Sequence, residues 1–255
     1  MAFVEIQGAK IRYREAGGGG PPVLFLHGAG ASSAIWLPTL RRVAATRRAL
    51  AFDFPGHGRS TGSCAGFDDF LAATGQVAAA LCLGPSILVG HSLGGLVAQA
   101  VALAFPDKVA GLVLVTTAAR LAVSSRLLAR IADDWTHWPE FVEKLSYAAD
   151  TPADVRRRSA GLAFSADQEQ TLADFQACMG FDARSRLAEI ACPTLVVAGR
   201  QDQMVPQPFG AALAEGIPGA RLVELACGHF PMDEQADAFA TALIDHIGRV
   251  GLLPT

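Results

Sequence analysis

A serine that attacks an acyl carbon needs three things: a base to take its proton, an acid to hold that base, and donors for the oxyanion it creates. The segment Gly90-His91-Ser92-Leu93-Gly94 has the spacing Gly-x-Ser-x-Gly. That spacing holds a serine hydroxyl on a sharp turn between a strand and a helix. The flanks match: residues 87–89 are a short apolar run, and residues 93–105 read as a helix stopped by Pro106. At a helix start, partial positive charge favours an anionic intermediate. Ser92 is the candidate nucleophile.

Six histidines could serve as its base, at 27, 57, 91, 137, 229 and 246. His229 lies in Cys227-Gly228-His229-Phe230-Pro231, just past the last expected strand. In a parallel sheet, loops at strand C-terminal ends share one rim, and Ser92 stands on that rim. His246 falls inside the final helix, His137 sits between Trp135 and Trp138, and His91 must point away from its neighbour on the elbow. His229 is therefore the candidate base. For the acid, Asp202 follows the run at 194–198, and the order Ser92, Asp202, His229 is one in which such triads recur. The other location, Thr116-Thr117-Ala118-Ala119, offers no carboxylate. Asp53 precedes the elbow and reads as structural.

Two backbone N–H groups complete an oxyanion hole. Leu93, directly after the nucleophile, supplies one. Ala29, in His27-Gly28-Ala29-Gly30, supplies the other, since its small neighbours let backbone approach a ligand. His27 braces this loop.

The elements that must position these groups are legible as alternation. Residues 3–7 and 10–15 read as a β-hairpin. Apolar runs at 23–26, 49–52, 87–89, 112–115 and 194–198 read as strands buried on both faces, with a further strand at 221–225. Helical patterns cover 36–44, 67–83, 93–105, 209–215 and 235–247. This predicts a parallel sheet covered by helices on both faces. The alternation breaks between 118 and 186, where Leu-, Phe- and Trp-rich helical stretches carry no strand-like run. The expected organisation is a core of 1–117 and 187–255 with an inserted helical cap at 118–186.

Composition narrows the rest. The chain has 255 residues, 51% apolar and 18% charged, with a formal net charge of −3. A disordered chain would be poorer in apolar residues, and nothing here attracts nucleic acid or an anionic membrane. Five widely spaced cysteines without a C-x-x-C pair suggest neither disulfides nor zinc. Phosphate-loop, His-Glu-x-x-His and dinucleotide fingerprints are missing, so no metal or cofactor is expected. The N-terminus lacks a signal-peptide pattern, and a soluble, cytoplasmic protein is the expectation.

On His27-Gly28-Ala29-Gly30, Asp53-Phe54-Pro55-Gly56-His57-Gly58-Arg59-Ser60, Gly90 to Gly95, Asp202 and Gly228-His229, the chain resembles the α/β-hydrolase family over nearly its whole length. The resemblance implies an α/β fold with an eight-stranded, mostly parallel sheet, flanking helices, a helical cap after the sixth strand, and no cofactor. Epoxide hydrolases and haloalkane dehalogenases of this fold use an aspartate nucleophile; Ser92 departs from both. Segments 174–178, 181–190 and 193–195 are similar to those of small carboxylesterases and 3-oxoadipate enol-lactonases. The expected reaction is hydrolysis of a small-molecule carboxylic ester or lactone through an acyl-enzyme. The same machinery could cleave a thioester, an amide or a C–C bond, or transfer the acyl group; a non-catalytic ligand-binding protein is the rival of another class. In the cap, Trp135, Trp138, Phe141, Leu145 and Phe164 are too apolar for a freely solvated insert. Trp135, Trp138, Phe141 and Phe164 are the expected substrate-binding residues.

Overall fold

A computed structural model describes residues 2–157 and 165–250. Eight strands form one sheet in the order β1-β2-β4-β3-β5-β6-β7-β8. The first two, β1 (Ala2–Ile6) and β2 (Ala9–Ala16), make the expected hairpin, with Ala2 opposite Tyr13, and β2 runs antiparallel to β4 (Ala49–Phe52). From β4 onward the pairing is parallel through β3 (Val23–Leu26), β5 (Ser86–His91), β6 (Val109–Val115), β7 (Thr194–Gly199) and β8 (Arg221–Leu225).

The apolar runs are continuous because both faces of the sheet are covered. Alternate residues of β3 show this. Leu24 and Leu26 pack on one side with α2 (Phe67–Ala80) and α3 (Leu93–Ala104), whereas Val23 and Phe25 pack on the other with α1 (Leu37–Val43). Each such side chain contributes about 1.5–3 kcal/mol of burial, so the sheet centre is the anchor against which the rim loops are held. No helix among the described residues is long and apolar enough to cross a membrane.

Between β6 and β7 the described residues include no strand, and their longer helices are α4 (Ser125–Asp133), α5 (Trp138–Ser146) and α6 (Gln168–Ala177). Their ends are capped by sequence-local chemistry. Ser124 Oγ accepts from Leu127 N–H at 3.2 Å, and Asp167 Oδ1 accepts from Gln170 N–H at 2.9 Å. The apolar faces meet in a separate cluster of Ile131, Trp138, Val142 and Phe175, against which Ala29 and Met204 of the core also pack. Two further helices, α7 (Gln207–Gly216) and α8 (Ala236–Val250), complete the parts used below.

Candidate active site

Ser92 joins β5 to α3 with φ 52° and ψ −116°, a conformation that costs a non-glycine residue about 1–3 kcal/mol. The surroundings over-determine it. Ser92 N–H donates to Val115 O at 3.0 Å, and Ser92 O accepts from Gly95 N–H at 2.9 Å and from Thr117 Oγ1–H at 2.8 Å. A Cβ at Gly94 would lie 2.5 Å from Leu26 O, and one at Gly90 would lie 2.2 Å from Gly94 O. Only glycine lets the turn press this closely against the end of β3.

His229 follows β8, and its Nδ1 lies 2.8 Å from Asp202 Oδ2; the two side chains are 5% and 0% exposed. The other carboxylate oxygen, Oδ1, accepts from Met204 N–H at 2.8 Å and Val205 N–H at 2.9 Å. A carboxylate only accepts, so a hydrogen is assigned to Nδ1, which in the neutral tautomer leaves the lone pair on Nε2. Ser92 and His229 line the same cavity.

Three groups that the sequence reading did not assign hold the backbone around His229. Its carbonyl accepts from His91 Nε2–H and from Thr116 Oγ1–H, both at 2.9 Å. Because a carbonyl cannot donate, His91 carries its hydrogen on Nε2. Burial, then the neighbouring His229, push its pKa well down, so the ring is neutral. Glu234 accepts from Gly228 N–H at 3.1 Å and Phe230 N–H at 3.2 Å, on either side of His229. The same carboxylate accepts from Ala148 N–H at 2.9 Å and Thr151 Oγ1–H at 2.6 Å. The loop that carries His229 is thus tied to the chain just beyond α5.

Among the described residues, neither Ala29 nor Leu93 gives its N–H to a protein acceptor. The plane of the Gly28–Ala29 peptide is pinned from its other side. Gly28 O accepts from His27 Nδ1–H at 2.9 Å and from Ala31 N–H at 3.2 Å. The C=O and N–H of one planar trans peptide point in opposite directions, so this turns Ala29 N–H away from those partners. His27 Nε2 accepts from Phe54 N–H at 3.0 Å, which requires a neutral ring. Burial first, then the charge of His57, push its pKa down to about 4. Asp53 is occupied elsewhere, accepting from Ser33 N–H at 2.8 Å and Arg59 N–H at 3.0 Å.

The cavity beside Ser92 is small, about 20 Å³, room for about one ordered water. Val142 and Ser146 of α5, Phe175 of α6 and Met204 form the wall facing Ser92. Trp138, 1% exposed, is packed inside the insert, with Trp135 stacked at 6.5 Å and Phe141 tilted at 6.1 Å between ring centroids. These three rings back the wall and do not line the cavity. Phe164 lies outside the described residues. A larger hollow of about 300 Å³, between α2 and α3, has Lys108 as its one ionisable lining residue and no histidine.

Comparison with known proteins places the chain in a family. Residues 23–242 match the model of the alpha/beta hydrolase family. A protein of Azorhizobium caulinodans, provisionally named carbamate hydrolase RutD, is 29% identical over 93% of this chain and 95% of its own length. A pimeloyl-(acyl-carrier protein) methyl ester esterase of Neisseria meningitidis is 30% identical over 88% of this chain and 92% of its own. Among solved structures, the enol-lactonase from Burkholderia xenovorans LB400 superposes with a TM-score of 0.91 at 25% identity, covering 97% of this chain and all of its own. The chain belongs to the alpha/beta hydrolase family.

Proposed function

We propose that the chain is a serine hydrolase of carboxylic esters or lactones, working through Ser92, His229 and Asp202. The protein is a hydrolase acting on ester-type bonds, as its methyl ester esterase and enol-lactonase relatives indicate. The observation that carries the finer reading is the His229–Asp202 hydrogen bond of 2.8 Å, opening on the cavity that holds Ser92. His229 Nε2 takes the Ser92 proton as Oγ attacks the acyl carbon. Ala29 and Leu93 N–H groups receive the oxyanion. The imidazolium, steadied by Asp202, gives its proton to the leaving alcohol, and the acyl group stays on Ser92 Oγ. His229 then takes a proton from water, which attacks the acyl-enzyme, and returns that proton to Ser92 Oγ as the acyl–oxygen bond breaks and the acid leaves.

In this reading residues 118–186 act as the cap over Ser92, with residues 1–117 and 187–255 as the catalytic core. The apolar wall of Val142, Phe175 and Met204 supports an uncharged or weakly polar small-molecule substrate, and in this reading that wall shifts to admit it. The rival is a ligand-binding protein that retains the triad without turning over. A panel of chromogenic esters graded by acyl length, with lactones, thioesters and a carbamate, tests the reading. Turnover of esters or lactones abolished by Ser92→Ala supports it, and binding without turnover supports the rival.

A further inference from the structure

Asp174 lies in α6 of the insert, yet it is fully buried and its partners lie mainly in the core. Its Oδ2 accepts from Gly30 N–H at 2.7 Å and from His57 Nε2–H at 2.6 Å, while Oδ1 accepts from Gln170 Nε2–H at 2.8 Å. Gly30 directly follows Ala29, the expected oxyanion donor. Its φ of +68° suits glycine, and its carbonyl accepts from Ser165 N–H at 2.8 Å and Ala166 N–H at 3.1 Å. Gly30 is therefore gripped from the insert at its N–H and its C=O alike, and the N–H belongs to the peptide leaving Ala29. The tether at Gly28 O comes from the adjacent His27 and moves with the loop. Asp174 is separated from Gly30 by 144 positions in the chain, so it fixes where the loop sits relative to the insert and the elbow.

We infer that Asp174 is a positioning residue for the oxyanion hole: by holding Gly30 N–H it sets the placement of Ala29 N–H over Ser92, so the hole is complete only when α6 is docked. This rests on the serine-hydrolase reading above. Gln170 reinforces the docking, since its amide bonds both the N–H and the carbonyl of Cys64, at 3.3 Å and 2.8 Å. A misplaced donor weakens the transition state more than the bound ester, because the oxyanion exists only in the former.

The test uses the full chain and an ester that the wild type turns over. Asp174→Asn keeps the size and removes the charge. It is expected to lower kcat by about 10- to 100-fold, less than outright loss of a donor, with KM nearly unchanged. A boronic acid adds Ser92 Oγ to boron and places a tetrahedral oxygen in the hole. Its affinity is expected to fall by the same factor as kcat. Replacing Gly30 by glycolic acid deletes only the N–H and leaves the carboxylate with His57 and Gln170. It should reproduce the pattern, and it decides the matter if Asp174→Asn does not fold. As a control, Gln168 Nε2–H bonds the carbonyls of Ile131 and Ala132 inside the insert; Gln168→Ala should lower the melting temperature and keep kcat. A folded glycolate variant with wild-type kcat and boronate affinity overturns the inference, as does a loss in melting temperature alone. If the wild type turns over no ester, and a fluorophosphonate does not label Ser92, the serine-hydrolase reading itself fails and the inference falls with it.

Discussion

Asp202 divides its two oxygens between backbone and imidazole: Oδ1 is filled by the N–H groups of Met204 and Val205, and Oδ2 faces His229 Nδ1 at 2.8 Å. The carboxylate cannot swing without giving up two backbone bonds, so the imidazole it meets is held in one tautomer. Asp202→Asn is therefore expected to keep the fold and lower kcat by up to about 10⁴-fold. Circular dichroism and ester kinetics check both halves. A fully active Asp202→Asn would mean that His229 is oriented by another group.

Thr116 offers a prediction that the sequence did not suggest. Its hydroxyl shares the His229 carbonyl with His91. Thr116→Val removes one of two donors and leaves the carbonyl satisfied by the other. The expected cost is about 1 kcal/mol of stability, with a modest fall in kcat and an unchanged KM. Chemical denaturation and steady-state kinetics read these. A loss of several kcal/mol would show that His91 does not hold the carbonyl alone.

What the sequence made legible, and what it did not, follows from how far each group reaches. Strands β3 and β4 run over the residues expected, because a four-residue apolar run buried on both faces has no other stable place. The elbow, His229 and Asp202 could be picked out because each sits next to its strand end. Strand β6 extends back to Val109 through Ala110 and Gly111, residues with too little side chain to mark a strand. Thr116, Glu234 and Asp174 act across the fold on backbone atoms, and no local spacing records that. In the insert, helical periodicity marked the apolar residues without saying which of them face Ser92.

That distinction separates two kinds of variant in the insert. Val142 lines the cavity, whereas Trp138 is buried behind it. Val142→Ala is expected to move the preferred acyl chain toward greater length, at about 0.8 kcal/mol per added methylene that finds room. Trp138→Ala is expected to cost about 3–5 kcal/mol of stability. Kinetics across an acyl series, paired with thermal melts, separate the two. An unchanged chain-length profile in folded Val142→Ala would place the acyl pocket elsewhere.

The buried His57–Asp174 pair gives stability a pH dependence with a defined sign. His57 Nδ1 faces Pro55 O at 3.0 Å and Nε2 faces Asp174 Oδ2 at 2.6 Å. Both partners accept, so both nitrogens donate and the ring is charged. Burial opposes that charge, but the hydrogen bond and charge of Asp174 outweigh it and raise the pKa. The other titratable groups facing it are His27, with ring centroids 4.9 Å apart, and Asp53. With the folded pKa raised, the contribution is fully present below the unfolded value of about 6.5 and is lost as pH rises through the folded value. His27, held near 4, acts oppositely: the unfolded chain takes up its proton first, so stability also falls as pH drops below about 6.5. Urea denaturation across neutral and alkaline pH should show a decline in the wild type that His57→Gln flattens. An equal decline in both would assign it to other groups.

The central claim is that Ser92 is the nucleophile, and covalent labelling tests it most directly. The protein is treated with a fluorophosphonate, digested and analysed by mass spectrometry, alongside Ser92→Ala. The account predicts one phosphonyl adduct, on Ser92, with esterase activity lost in step with labelling, and a Ser92→Ala protein that is unlabelled and reduced about 10⁶-fold in kcat. An adduct on another residue, together with an active Ser92→Ala, would contradict it.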